Sequence, residues 1–245
     1  KAALGLLARA YAQGAGEGLS ENGVSYWQRA KEGAEDLIAN MASYNAYLYD
    51  DVEDVWAQSN NRNNKEALFI ASGPQAGTDA FTYGSYGANK LFTFTFCDPN
   101  KLSDIYGQGT RDLRQTHWFK TSWGTSYLLK HNADLEYAKE KVRMITLAEM
   151  YYIAAEAYDL LEEILPSREI HSSLPVNAGR TEVLTEVLKE YRKEYIGDGQ
   201  FFYAYKRLIE EEAAILPLGI NIPNENKVLV WPLPQDEIKY GDRES

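Results

Sequence analysis

Apolar residues recur at three-and-four spacing at both ends of the chain, the period that places side chains on one face of a helix. Leu4, Leu7, Ala8 and Tyr11 predict a helix over residues 2–13, with Gly14, Gly16 and Gly18 ending it. Ala30, Ala34, Leu37, Ile38 and Met41 predict a second helix from Ser25 to about Ser43. Ser25 is its expected N-cap, with Gln28 three residues on completing a capping box. A third helical pattern starts near Val142 and carries Leu147, Met150, Tyr151, Ala154, Tyr158 and Leu161 to Pro166. A fourth runs through Leu184, Val187, Leu188, Tyr191 and Tyr195. Gly197-Asp198-Gly199 breaks it, and Phe201, Phe202, Tyr205, Leu208 and Ile209 restart the period to about Leu216. Residues 189–208 are thus two amphipathic helices around a glycine corner, with aromatic faces expected in a core. The tail is expected to be a loop, a short extended run to Trp231, a fixed Pro232-Leu233-Pro234 and a last turn at residues 235–238.

Between residues 44 and 135 the helical period fails. Leu68-Phe69-Ile70 is strand-like, and Phe92, Phe94 and Phe96 alternate with Thr93 and Thr95 at period 2. Glycines and a polar Asn60–Asn64 run punctuate the rest. The stretch is too long for an ordinary connection, and long loops on a rigid scaffold usually carry function. The expectation is one mainly α domain in three parts: a helix pair over 1–43, an aromatic, loop-rich insert with short strands over 44–135, and C-terminal helices with a closing segment over 136–245. Leu7, Ala8 and Tyr11, followed by Ala30, Ala34 and Leu37, echo the helix pair of a tetratricopeptide repeat.

Composition narrows the chemistry. Aromatics make up 13% of 245 residues, 18 of them tyrosine, a residue with an apolar face and a polar tip that suits wet binding surfaces as well as cores. The net charge of −11 repels phosphate backbones, so nucleic acid is not an expected partner. Cys97 is the lone cysteine, which excludes an internal disulfide and a cysteine-rich metal site. No apolar run approaches the roughly 20 residues of a membrane span. The chain opens inside a helical pattern, at Lys1-Ala2-Ala3-Leu4, and is expected to be a piece of a longer protein. There is no nucleophile elbow, Walker loop or zinc-protease motif, and His117, His131 and His171 share no metal-ligand spacing. No enzyme activity, metal or cofactor is expected.

Several segments, in order, resemble the SusD/RagB family of outer-membrane nutrient-binding lipoproteins. Residues 1–13, KAALGLLARAYAQ, are similar to its alanine-rich helix ending in Ala-Arg-x-Tyr. Residues 101–119 resemble its Leu-x-x-x-Tyr…Asp-x-Arg segment, with Asp112 and Arg114 at the matching positions. Residues 143–157, RMITLAEMYYIAAEA, resemble its Ala-Glu-Ala helix, with Glu149 and Glu156 at the acidic positions. Residues 190–207 and the closing VLVWPLPQDEI of 228–238 complete the match. Tyr191, Asp198 and Gln200 depart from the family pattern, and residues 165–180 lack its Leu-Asn-x-x-Arg, so the chain resembles a divergent branch.

The resemblance implies a tetratricopeptide-like scaffold and a non-catalytic lid for a SusC-like TonB-dependent transporter barrel. It also implies an outer-membrane, surface-exposed location, with a signal peptide and lipidated cysteine before Lys1. The implied ligand is an oligosaccharide or, in some branches, a peptide. Sugar capture needs flat aromatic faces and polar forks. Trp118, Trp123, Tyr83, Tyr86 and Tyr127 are the expected faces; Asn89, Asp112, Arg114 and Gln115 are the polar groups nearby. Arg192 and Arg207 are expected to hold structural ion pairs, with Glu149 or Glu156 as partners, and Gly199 to shape the corner. A helical-repeat scaffold for protein partners and a glycan-cleaving enzyme with paired carboxylates stand as the alternatives.

Overall fold

A computed structural model describes residues 1–49, 64–72, 99–107, 112–122, 125–128, 141–157, 174–175, 177–196 and 198–211. Seven helices and six short strands lie in these stretches. Among the described residues no helix is long and apolar enough to cross a membrane.

The first helix, α1, spans Ala2–Gly16, three residues past the expected stop. Gly14 and Gly16 do not end it, because both are needed where other elements come close. A Cβ on Gly14 would lie 2.6 Å from the Tyr26 ring, and one on Gly16 would lie 2.6 Å from the Cβ of Arg207. A hairpin of β1 (Ser20–Glu21) and β2 (Val24–Ser25) then reverses the chain. Its Asn22-Gly23 turn has φ of 52° and 77°, the double left-handed geometry that Asn-Gly favours. The second helix, α2 (Tyr26–Ala39), begins as expected: the Ser25 hydroxyl accepts from the Gln28 N–H at 3.2 Å. The Gln28 side chain does not close the capping box but donates to Glu32. Helix α2 ends at Ala39, four residues short of Ser43. Gly14 meets Tyr26 and Gly33 meets Ala8, so α1 and α2 run antiparallel. Ala8, Ala12, Ala30 and Ala34 are fully buried between them, and their small size sets the close approach.

The next strand, β3 (Ala67–Ser72), pairs antiparallel with β6 (Lys141–Thr146), Ala67 opposite Thr146 and Ser72 opposite Lys141. Residues 142–146 are therefore strand, where the sequence pattern had suggested the start of a helix. Val142 and Ile145 fit a helical spacing as well as a strand, and the partner β3 decides. Helix α5 (Leu147–Ala157) follows at once, its start fixed by the Thr146 hydroxyl, which accepts from the Glu149 N–H. The β3–β6 pair is a neck through which the chain leaves the helical scaffold and returns. Between the two strands lie α3 (Pro99–Tyr106), α4 (Leu113–Trp118) and a hairpin of β4 (Phe119–Ser122) with β5 (Thr125–Leu128). The alternating run at Phe92–Phe96 lies outside the described residues.

Two further helices form the corner. Helix α6 spans Arg180–Glu194 and α7 spans Phe201–Glu211. Helix α6 stops at Glu194, with Tyr195 as its C-cap, before the glycines; Gly199, at φ 74°, makes the turn into α7. The faces expected in the core are there: Leu184, Val187, Leu188, Tyr191, Tyr195, Tyr205 and Leu208 join one cluster with α1, α2 and α5. Phe202 is exposed. The tail from residue 212 lies outside the described residues, so the expected closing turn does too.

Candidate functional site

Among the described residues, two buried ion networks organise the junctions of this fold. The first is centred on Arg114, at 0% exposure. Asp112 caps α4, its carboxylate accepting from the Arg114 backbone N–H at 3.0 Å. The same carboxylate accepts from the Arg114 guanidinium in a two-pronged pair, at 3.0 and 2.8 Å. The remaining guanidinium donors reach Glu190 at 2.6 Å and Glu194 at 3.1 Å on α6, and the Tyr152 hydroxyl at 3.3 Å on α5. All five N–H groups of the fork thus have an acceptor. Lys193 adds a second cation, 2.5 Å from Glu190. Burial alone would pull the Arg114 guanidinium pKa down; the charges of Glu190 and Asp112 overcome this and raise it well above its ordinary value. The network bolts the insert to the helical scaffold.

The second network lies at the corner. Arg207 pairs with both oxygens of Glu156, and the Tyr191 hydroxyl donates to the same carboxylate. Arg207 also donates to that hydroxyl at 2.9 Å and lies over the Tyr191 ring, its guanidinium carbon 5.3 Å from the centroid. Desolvation opposes the Arg207 charge, and the Glu156 carboxylate outweighs it, raising the guanidinium pKa. Beside it, Arg9 makes a two-pronged pair with Glu149, both contacts 2.5 Å, and donates to the Met144 carbonyl at 2.6 Å. Arg9 has no counterpart in the sequence expectations; it sits in the Ala-Arg-x-Tyr segment, which was the available signal. Arg192 meets neither Glu149 nor Glu156. It is half-buried near Asp104 on α3; burial lowers its pKa and Asp104 partly offsets that.

The expected ligand residues divide. Asp112, Arg114 and Trp118 are 1%, 0% and 0% exposed, so the fold commits them to the interior rather than to a binding surface. Trp118 packs with Leu102, Tyr106, Phe119 and Ile196 in a second, smaller core between the insert and the end of α6. The Tyr106 hydroxyl ties that core down by donating to the Lys193 carbonyl at 3.0 Å. Sequence alone could not separate a ligand-facing tryptophan from a packed one, because both need a large flat ring. Tyr127 lies on β5 opposite Lys120 in the β4–β5 hairpin. Tyr83, Tyr86, Asn89 and Trp123 lie outside the described residues. Gln115 is half-buried on α4.

A cleft of about 230 Å³ opens between α1, the first turn of α5 and the α6–α7 corner. Arg9, Glu149 and Arg207 lie along it, together with Gln13, Gln200 and Tyr203. Among the described residues, Trp118 does not line it.

No protein-family model matches the sequence, and no curated protein does. Solved structures do. A SusD superfamily protein from Bacteroides thetaiotaomicron aligns at a TM-score of 0.69 and 16% identity, covering 97% of this chain and 55% of its own. A SusD superfamily protein from Bacteroides fragilis aligns at 0.64 and 16% identity, covering 96% and 62%. A SusD-like carbohydrate-binding protein from Bacteroides vulgatus aligns at 0.60 and 21% identity, covering 83% and 44%. The chain thus spans about half the length of the structures it matches. With its antiparallel helix pair, its insert on a two-stranded neck and its helical corner, the chain has the fold of the SusD superfamily.

Proposed function

We propose that the chain is part of a non-catalytic, cell-surface nutrient-binding lipoprotein that serves as the lid of a TonB-dependent outer-membrane transporter. The observation that carries this reading is the SusD-superfamily fold, aligned over nearly the whole chain. The ligand is a glycan, in keeping with the carbohydrate-binding name of the Bacteroides vulgatus neighbour. The aromatic insert bears the site, with Trp123, Tyr83, Tyr86, Tyr127 and Asn89 as ligand contacts. Asp112, Arg114 and Trp118 support it from below: they fix α4 and the β4–β5 hairpin to α6, which preorganises whatever the insert presents. The carboxylates of the Arg114 network are each held by a cation and buried, a poor arrangement for the free acid and base of a glycosidase.

A glycan and peptide array probed with the chain tests this. Binding to oligosaccharides is expected, with an about tenfold rise in Kd for Trp123→Ala, the effect of losing one stacking face. The lid role is tested in the full-length gene product by outer-membrane fractionation and co-purification with a transporter barrel; a cytoplasmic product would sink it. The helical-repeat reading predicts capture on the peptide arm with no effect of Trp123→Ala.

A further inference from the structure

The cleft at the corner is lined by α1, α5, α7 and the turn between α6 and α7. Its floor is ionic but balanced. Arg9 is bound two-pronged by Glu149, and Arg207 likewise by Glu156. Each guanidinium therefore sits beside the carboxylate that neutralises it. Fixed donors and acceptors lie side by side, with no net charge from the two pairs. A carboxylated ligand would meet Glu149, and a cationic one would meet Arg9 and Arg207. The walls add two half-buried amides, Gln13 and Gln200, each carrying a donor and an acceptor. Tyr203, 46% exposed, adds a flat ring at the side. Behind these lies Tyr195, 6% exposed, stacked on Tyr191 at 5.0 Å and 21°. Its hydroxyl is buried and, among the described residues, has no hydrogen-bond partner. A buried phenol that donates to nothing is unfavourable, and a ligand hydroxyl that reaches it removes the deficit.

We propose that this cleft is a second binding site, for one neutral sugar ring, distinct from the aromatic insert; the assignment rests on the glycan reading given above. Vicinal hydroxyls both donate and accept, which matches paired guanidinium and carboxylate groups and amide forks. The apolar C–H side of the ring lies on Tyr203. The volume of about 230 Å³ falls below the roughly 300–1,000 Å³ of drug-sized sites and holds about one ring. Two sites on one scaffold would let a longer glycan bind with avidity where its length spans both.

The test is an NMR titration of the folded chain with glucose, galactose, mannose and N-acetylglucosamine, with glucosamine and glucuronate as charged controls. At least one neutral sugar binds, and the charged controls bind about tenfold more weakly. Gln13→Ala and Gln200→Ala, both at half-exposed positions that leave the core untouched, raise Kd about tenfold, the loss of a ligand hydrogen bond. Trp123→Ala leaves this Kd unchanged. Tyr195→Phe keeps the stacked ring, raises the Tm of the sugar-free chain by about 2–4 °C, and weakens binding. A Tm that stays level or falls removes the hydroxyl from the site. Cleft variants that bind like the parent, or charged controls that bind as tightly as neutral sugars, overturn the proposal. If longer glycans then still bind through Trp123, the glycan-binding function stands without this cleft. If no sugar of any length binds the folded chain, both readings fall.

Discussion

Arg114 carries a structural burden of the kind that the sequence had assigned to Arg192 and Arg207. A fully buried guanidinium is tolerable only when every N–H has an acceptor and its charge is met. Asp112, Glu190, Glu194 and Tyr152 supply this, from two separate helices and one cap. Removing the cation would take the shared partner from three buried carboxylates, Asp112, Glu190 and Glu194, and Lys193 reaches only the side of Glu190 and Asp112. Arg114→Met is therefore expected to destabilise the chain by about 3–5 kcal/mol, read as a fall in the urea midpoint. Arg192→Met, at a half-buried position beside Asp104, should shift it by less than about 1 kcal/mol. The reverse order would show that the Arg114 network is not the joint between insert and scaffold. The Asp-x-Arg motif was legible in sequence; its burial was not. A motif of charged residues reads the same whether it faces a ligand or other parts of the chain. The carboxylates that decide the matter are 76 and 80 positions away.

At the scale of elements, the helices were legible and their ends were not. The face that starts with Ala8 and Ala30 announced a close helix pair, and the fold forms one. Gly14 and Gly16 looked like a stop, because glycine weakens a helix and favours its end. They stay helical because α7 and Tyr26 need the space. Gly16→Ala tests this. Alanine favours an isolated helix, by about 1 kcal/mol over glycine. Here its methyl would meet Arg207 at 2.6 Å from Cβ and 2.9 Å from Cα, and part of what it meets is backbone, which cannot swing away. The net expectation is destabilisation of about 1–3 kcal/mol in chemical denaturation, with the Arg207–Glu156 pair disturbed. A more stable Gly16→Ala variant would mean that α1 and α7 are not in this contact. The Asn22-Gly23 pair is a turn signal written in two neighbouring residues, and it closes the hairpin between α1 and α2. Strand β6 was not readable, since six residues with apolar positions at both spacings carry no preference until β3 pairs with them.

At the scale of the molecule, and among the described residues, one core joins α1, α2, α5, α6 and α7, and a smaller one joins the insert to the end of α6. Buried tyrosines mark both: Tyr191 and Tyr195 in the first, Tyr106 in the second. Desolvation holds all three phenols well above their ordinary value near 10; at Tyr191 the Glu156 charge adds to it, at Tyr195 the Glu149 charge does, and at Tyr106 the Arg114 charge works against it. Unfolded, each would release its proton near pH 10, while folded each keeps it to higher pH. The unfolded chain then binds fewer protons, so this stability is complete below pH 10 and is lost as pH rises above it. The slope is about 1.4 kcal/mol per pH unit for each phenol, or about 4 for the three together. Urea midpoints measured from pH 9 to 11.5 should be level at first and then fall steeply; a level profile throughout would contradict the burial of these rings. Sequence by itself determined the helix faces, the aromatic corner, the interruption by a long insert and the resemblance to the SusD/RagB family, because periodicity and local motifs are written in neighbouring residues. Tertiary structure alone decided which charges meet. It made Arg114 and Trp118 joints instead of ligand contacts, paired Arg9 with Glu149, and opened the cleft at the α6–α7 corner. Those outcomes depend on which distant elements pack together, and burial turns a surface charge into a structural one only after they have packed.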